Sequence, residues 1–133
     1  MLQIDIQDKK SQRTLQQNAY IWALMTEIDK KENRYADKDS LMDLYKNLIK
    51  MARVRIDYLQ GIPQAIETLQ GTFRVVEVIE SRTSEKGVET HLFACYRGTS
   101  QFSKEETSDF VEVILQYAQN TGIEIAFYER ELR

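Results

Sequence analysis

One cysteine, Cys95, and one histidine, His91, occur in the 133 residues of the chain. A lone cysteine excludes an intramolecular disulfide, and the two side chains together supply too few soft ligands for a structural zinc. Placed four apart on a strand they would share a face, yet roughly 13 Å of strand rise would keep them from working as nucleophile and base. No apolar run approaches the roughly 20 residues of a membrane span. The opening MLQIDIQDKKSQR carries acidic residues and no hydrophobic secretory region, so the expectation is a cytoplasmic protein without a membrane segment. Neither GxxxxGKS/T nor GxGxxG is present, which leaves nucleotide hydrolysis and dinucleotide binding without support. Repeats, Pro-rich linkers and low-complexity tracts are also missing, and the length suits one domain over residues 1–133.

The composition is that of a soluble globular protein, 42% hydrophobic and 29% charged. The net charge of −3 is unevenly spread. Residues 1–58 carry eleven Lys and Arg against nine Asp and Glu, a net +2, whereas residues 59–133 carry seven against twelve, a net −5. Such asymmetry permits a local basic face on an acidic protein.

The hydrophobic pattern predicts an α+β fold. Leu2, Ile4 and Ile6 alternate with polar residues as in a short N-terminal strand. Thr14 and Gln17 have capping-box spacing, and Leu15, Ala19, Trp22, Met25 and Ile28 then recur as a helical stripe over about residues 15–31. Ile21 and Leu24, beside that stripe, are an apolar excess suited to a sheet or a dimer contact. Asp39 or Ser40 would cap a second helix carrying Leu41, Leu44, Tyr45, Leu48, Ala52, Ile56 and Leu59, with Gly61 ending it. Pro63 fits the first turn of a short third helix closed by Gly71.

Thr72–Glu80 and Val88–Arg97 are rich in β-branched and aromatic residues and are joined by the polar SRTSEKG, the pattern of a β-hairpin. Ser103 and Glu106 make a second capping box, opening a helix with Phe110, Val111, Ile114, Tyr117 and Ala118 inward and Gly122 as its left-handed cap. Ile123, Ile125 and Phe127 alternate as a last strand.

Lys46, Lys50 and Arg53 recur at i, i+4 and i+7 on the face opposite the apolar stripe of the second helix, a row able to follow a phosphate backbone. Asp43 and Asp57 lie close enough in sequence to neutralise part of it. Tyr20, off the main stripe of the first helix, is placed to stack on a base. Asn18 lies on the apolar side and must find a hydrogen-bond partner, which would tie this helix to a neighbouring backbone.

The stretch RTLQQNAYIWALMTEI resembles the opening motif of phage recombination proteins of the NinB/Orf type and their relatives in phages of Gram-positive bacteria, R-S/T-L-x-x-N-x-x-x-W, here Arg13, Thr14, Leu15, Asn18 and Trp22. RGTSQFSKEETSDFVEVILQYAQNTGIEI is similar to the C-terminal segment of the same family. Residues 33–90 carry no match. The resemblance implies a dimeric, non-catalytic accessory protein of homologous recombination in the host cytoplasm. Such a protein binds single-stranded DNA and cooperates with single-strand-binding protein and a phage or host recombinase, with no cofactor and no metal. It makes Asn18 and Trp22 framework residues and draws Arg13 and Arg97 into the candidate DNA-binding set of Arg13, Tyr20, Lys46, Lys50, Arg53 and Arg97.

Two other readings compete. The acidic second half suits a protein-interaction adaptor gripping a replication or host-defence protein. A nuclease would instead need carboxylates at the hairpin, such as Glu77 and Glu89, to hold Mg²⁺.

Overall fold

The computed structural model describes residues 2–133, with side chains from Leu15 onward. Its elements run α1 (Leu2–Glu32), α2 (Lys38–Ala52), β1 (Asp57–Gly61), α3 (Ala65–Gln70), β2 (Val75–Thr83), β3 (Glu89–Tyr96), a 3-10 turn (Thr99–Gln101), α4 (Lys104–Thr121) and α5 (Ala126–Leu132). The α+β class and the order of helical half, hairpin and capped C-terminal helix are as the sequence predicts.

Helix α1 includes the residues read as an N-terminal strand, so Leu2, Ile4 and Ile6 belong to a helix and Thr14 lies within it instead of capping it. The face that α1 buries is Ile21, Leu24, Met25 and Ile28, at helical spacing. It is rotated from the predicted stripe: Leu15 is exposed and Trp22 half-buried, whereas Ile21 and Leu24 are core residues. The apolar excess that suited a dimer contact is therefore spent on the interior of one chain.

Asp37, not Asp39 or Ser40, caps α2; Ser40 completes the capping box and its hydroxyl donates a hydrogen bond to buried Asp29 of α1 at 2.7 Å. The helix ends at Ala52, earlier than the apolar spacing suggests. Arg53 takes a left-handed conformation, φ 57°, and the amides of Arg53 and Val54 return to the carbonyls of Lys50 and Ile49. Val54 is then drawn into the core. Ile56 and Leu59 leave the helix, and Asp57–Gly61 becomes a strand the sequence reading lacks.

That strand completes a three-stranded antiparallel sheet of order β1-β3-β2. In the central strand Phe93, Ala94, Cys95 and Tyr96 are all buried, since both faces of β3 are covered. Ala94 and Tyr96 face the helical core, while Phe93 faces the side where Gly61 and Ala65 approach it. The outer half of the hairpin, from Val78 to Val88, extends beyond the core and is exposed.

Helix α4 begins at the predicted box, Ser103 with Glu106, and Gly122 closes it at φ 91°. Phe110, Val111, Ile114 and Ala118 are buried as expected. The predicted last strand is instead α5. Ile125 and Leu132 are buried and Tyr128 packs between them, so the i, i+3, i+7 spacing prevails over the alternation of Ile123, Ile125 and Phe127. Among the described residues no helix is long and apolar enough to cross a membrane.

Candidate nucleic-acid interface

Thr99, the first residue of the 3-10 turn, is buried beside the middle of α1. Its hydroxyl oxygen accepts a hydrogen bond from the Trp22 indole N–H at 3.1 Å, and its O–H donates one to Oδ1 of Asn18. Asn18 thus has its partner, but in a side chain across the fold and not in a neighbouring backbone. One hydroxyl joins two residues of the N-terminal motif to the C-terminal one, and it fixes the plane of the indole.

Trp22 is held on two sides. From the core, buried Tyr45 packs against it with ring centroids 4.9 Å apart, and the Tyr45 hydroxyl donates to the Arg97 carbonyl. Burial pushes the Tyr45 phenol well above its ordinary range despite the nearby Arg74 and Arg97 guanidiniums. From solvent, the Arg74 guanidinium lies over the indole with its central carbon 4.2 Å from the ring centroid. An exposed contact of this kind contributes about 0.5–1 kcal/mol. Arg74 itself is exposed and, among the described residues, is in no ion pair. Trp22 and Arg74 border a cleft of about 320 Å³ whose other walls include Gln70, Thr72, Ser100 and Gln101. A larger groove of about 870 Å³ lies on the other side of Asn18, between α1, α4 and α5, with Tyr20, Val111 and Leu132 among its walls.

Two of the cations predicted from sequence, Lys46 and Arg97, are engaged in ion pairs. Lys46 is largely covered and bonded to Glu77 at 2.8 Å and Asp43 at 3.2 Å. The hydrogen bond from Lys46 lowers the Glu77 carboxyl, and the same bond raises the Lys46 ammonium above its ordinary value. Lys50 and Arg53 are exposed farther along α2. Tyr20 is half-buried and packs edge-on against Phe127 of α5 at 5.3 Å. The side chain of Arg13 lies outside the described residues.

Arg97 is committed to structure. Its guanidinium pairs with Glu106 and donates to the carbonyls of Gln101 at 3.3 Å and Arg55 at 3.5 Å. Burial would raise the Glu106 carboxyl, but bonds from Arg97 and from the Ser103 and Arg55 amides outweigh it and hold the group at about 2. The capping box of α4, the end of β3 and the segment before β1 are thereby tied at one carboxylate.

The hairpin carboxylates are engaged separately: Glu77 with Lys46, Glu80 with Arg82 at 2.6 Å, and Glu89 with His91 at 3.0 Å. Among the described residues no three His, Cys, Asp or Glu side chains gather to hold a metal ion.

The sequence reading missed Arg74 and Thr99. A signal existed for Arg74, an isolated cation immediately before a β-rich run, but nothing local linked it to Trp22. No protein-family description, curated protein or solved structure matches the chain.

Proposed function

We propose that this chain is a non-catalytic accessory protein of phage recombination that binds single-stranded DNA, with the Trp22–Arg74 cleft as its principal contact. The observation that supports the reading is an exposed guanidinium, in no ion pair among the described residues, beside an oriented indole at the mouth of a polar cleft. Single strands are held by cations that meet phosphates and by aromatic rings that meet bases, each stacked base contributing about 1–3 kcal/mol. Arg74 and Trp22 supply one of each, and Lys50 and Arg53 add exposed positive charge on α2. Lys46 and Arg97 leave the central role, because their charges are already matched by Glu77, Asp43 and Glu106.

With a net charge of −3, binding is expected to be modest and strongly salt-dependent. Cooperation with single-strand-binding protein and a recombinase, and action as a homodimer joining two such clefts, belong to the same proposal. The test is fluorescence anisotropy of a labelled oligonucleotide at low salt, with light scattering on the same sample. Anisotropy should rise with the wild type and fall away as salt is added, and Arg74→Glu should abolish the rise. A homogeneous wild-type sample that leaves anisotropy unchanged at low salt refutes the DNA role.

The adaptor reading has its own supporting observation. Val78, Ile79 and Val88 are exposed on the part of the hairpin that extends beyond the core. Capture of a specific protein by nuclease-treated wild type, lost on Ile79→Asp without loss of DNA binding, would favour it.

A further inference from the structure

Buried Tyr45 packs against the Trp22 ring, and the guanidinium of exposed Arg74 lies over it. Tyr45 is fully buried and cannot withdraw. A guanidinium 4.2 Å above the ring fills the space in which a stacked base would lie. A strand that stacked on Trp22 would have to remove it.

Arg74 is built for such removal. Its backbone amide is anchored to the Tyr96 carbonyl at 2.8 Å, so the root of the side chain stays fixed while the flexible stem turns. No carboxylate among the described residues holds the head. The hydrogen bond from Trp22 to Thr99 keeps the indole in place once its cover has gone. An exposed cation–π contact is weaker than base stacking on the same ring, and the displaced guanidinium can recover its loss on the phosphate that arrives with the base.

We infer that Arg74 is an exchangeable cover: a nucleobase takes its place on Trp22 and the guanidinium moves to the adjoining phosphodiester. The ligand class is therefore a base joined to a phosphate, and neither part alone completes the exchange. This inference rests on the DNA reading above and specifies what that reading leaves open.

Trp22 is the only tryptophan of the chain, so emission excited at wavelengths that tyrosine does not absorb reports on this cleft alone. The experiment titrates the full chain with an oligothymidylate and with an abasic strand of equal length, recording Trp22 emission and the anisotropy of an end label. Both strands should raise anisotropy, and only the one with bases should quench Trp22. Arg74→Met, on an exposed side chain, should weaken binding roughly tenfold and lower the log–log salt slope by about one while leaving the quench intact. A rise in anisotropy without quenching would show that the guanidinium stays in place and would overturn the exchange while sparing the DNA reading. Equal quenching by both strands would overturn it as well, since phosphate alone would then move the cover. No anisotropy change with either strand at low salt defeats the DNA reading, and the exchange with it.

Discussion

Thr99 shows how much one hydroxyl can organise. Its oxygen serves Trp22 and Asn18 at once in a part-buried site, so replacing it with an apolar isostere leaves a donor and an acceptor unmatched. An unsatisfied buried polar group costs about 1–3 kcal/mol. Thr99→Val should therefore lower the unfolding free energy by about that amount in urea titrations, while Thr99→Ser should retain most of it. A Val variant as stable as the wild type would mean that water replaces the hydroxyl and that the network is not a structural link. The need for such a link was legible at Asn18, a polar residue among apolar ones. Its partner was not, because it lies 81 residues away, in the turn between β3 and α4.

At the scale of elements, two helices end by the same device with different residues. Gly122 closes α4 at φ 91° and Arg53 closes α2 at φ 57°, each followed by an apolar residue whose amide bonds back into the last turn. A left-handed Gly announces itself in sequence; a left-handed Arg does not. The helix predicted to reach Leu59 stops at Ala52 for that reason, and β1 follows from it. A non-glycine residue in this conformation costs roughly 1–2 kcal/mol, partly offset by the greater freedom of glycine in the unfolded chain. Arg53→Gly should thus raise stability by about 0.5–1 kcal/mol in the same urea assay. A loss of stability instead would show that the Arg53 side chain contributes more than its backbone conformation costs.

The central position of β3 was partly legible too. LFACY is a continuous apolar run, the pattern of a strand covered on both faces, and a central strand also has a neighbour at each edge. The hairpin supplied only one neighbour; the other came from residues assigned to a helix.

For the whole molecule, pH acts on the tie at Glu106. Its carboxyl is held at about 2 in the folded state, against an ordinary 4.5, because Arg97 and two amides favour the charged form. A lowered folded value means that the contribution to stability is complete above about 4.5 and is lost as pH falls through about 2. Glu77, lowered by Lys46, acts in the same direction. The raised Lys46 has the opposite sense, its contribution being present below its unfolded value and lost only in strongly alkaline solution. Stability should therefore decline between about pH 4.5 and 2, by a few kcal/mol in all. Glu106→Gln should flatten that part of the profile measured by thermal unfolding; an unchanged profile would place the acid sensitivity elsewhere.

The sequence by itself determined the α+β class, the hairpin, the capped helix α4 and its glycine stop, because these depend on periodicity and on caps within a few residues of one another. Only the tertiary structure decided which face of α1 is buried, where α2 ends, that a third strand joins the sheet, and which cations stay available. Availability is a matter of distance in space. Lys46 and Arg97 meet Glu77 and Glu106 across the fold, while Arg74 meets no carboxylate among the described residues and comes to rest on Trp22.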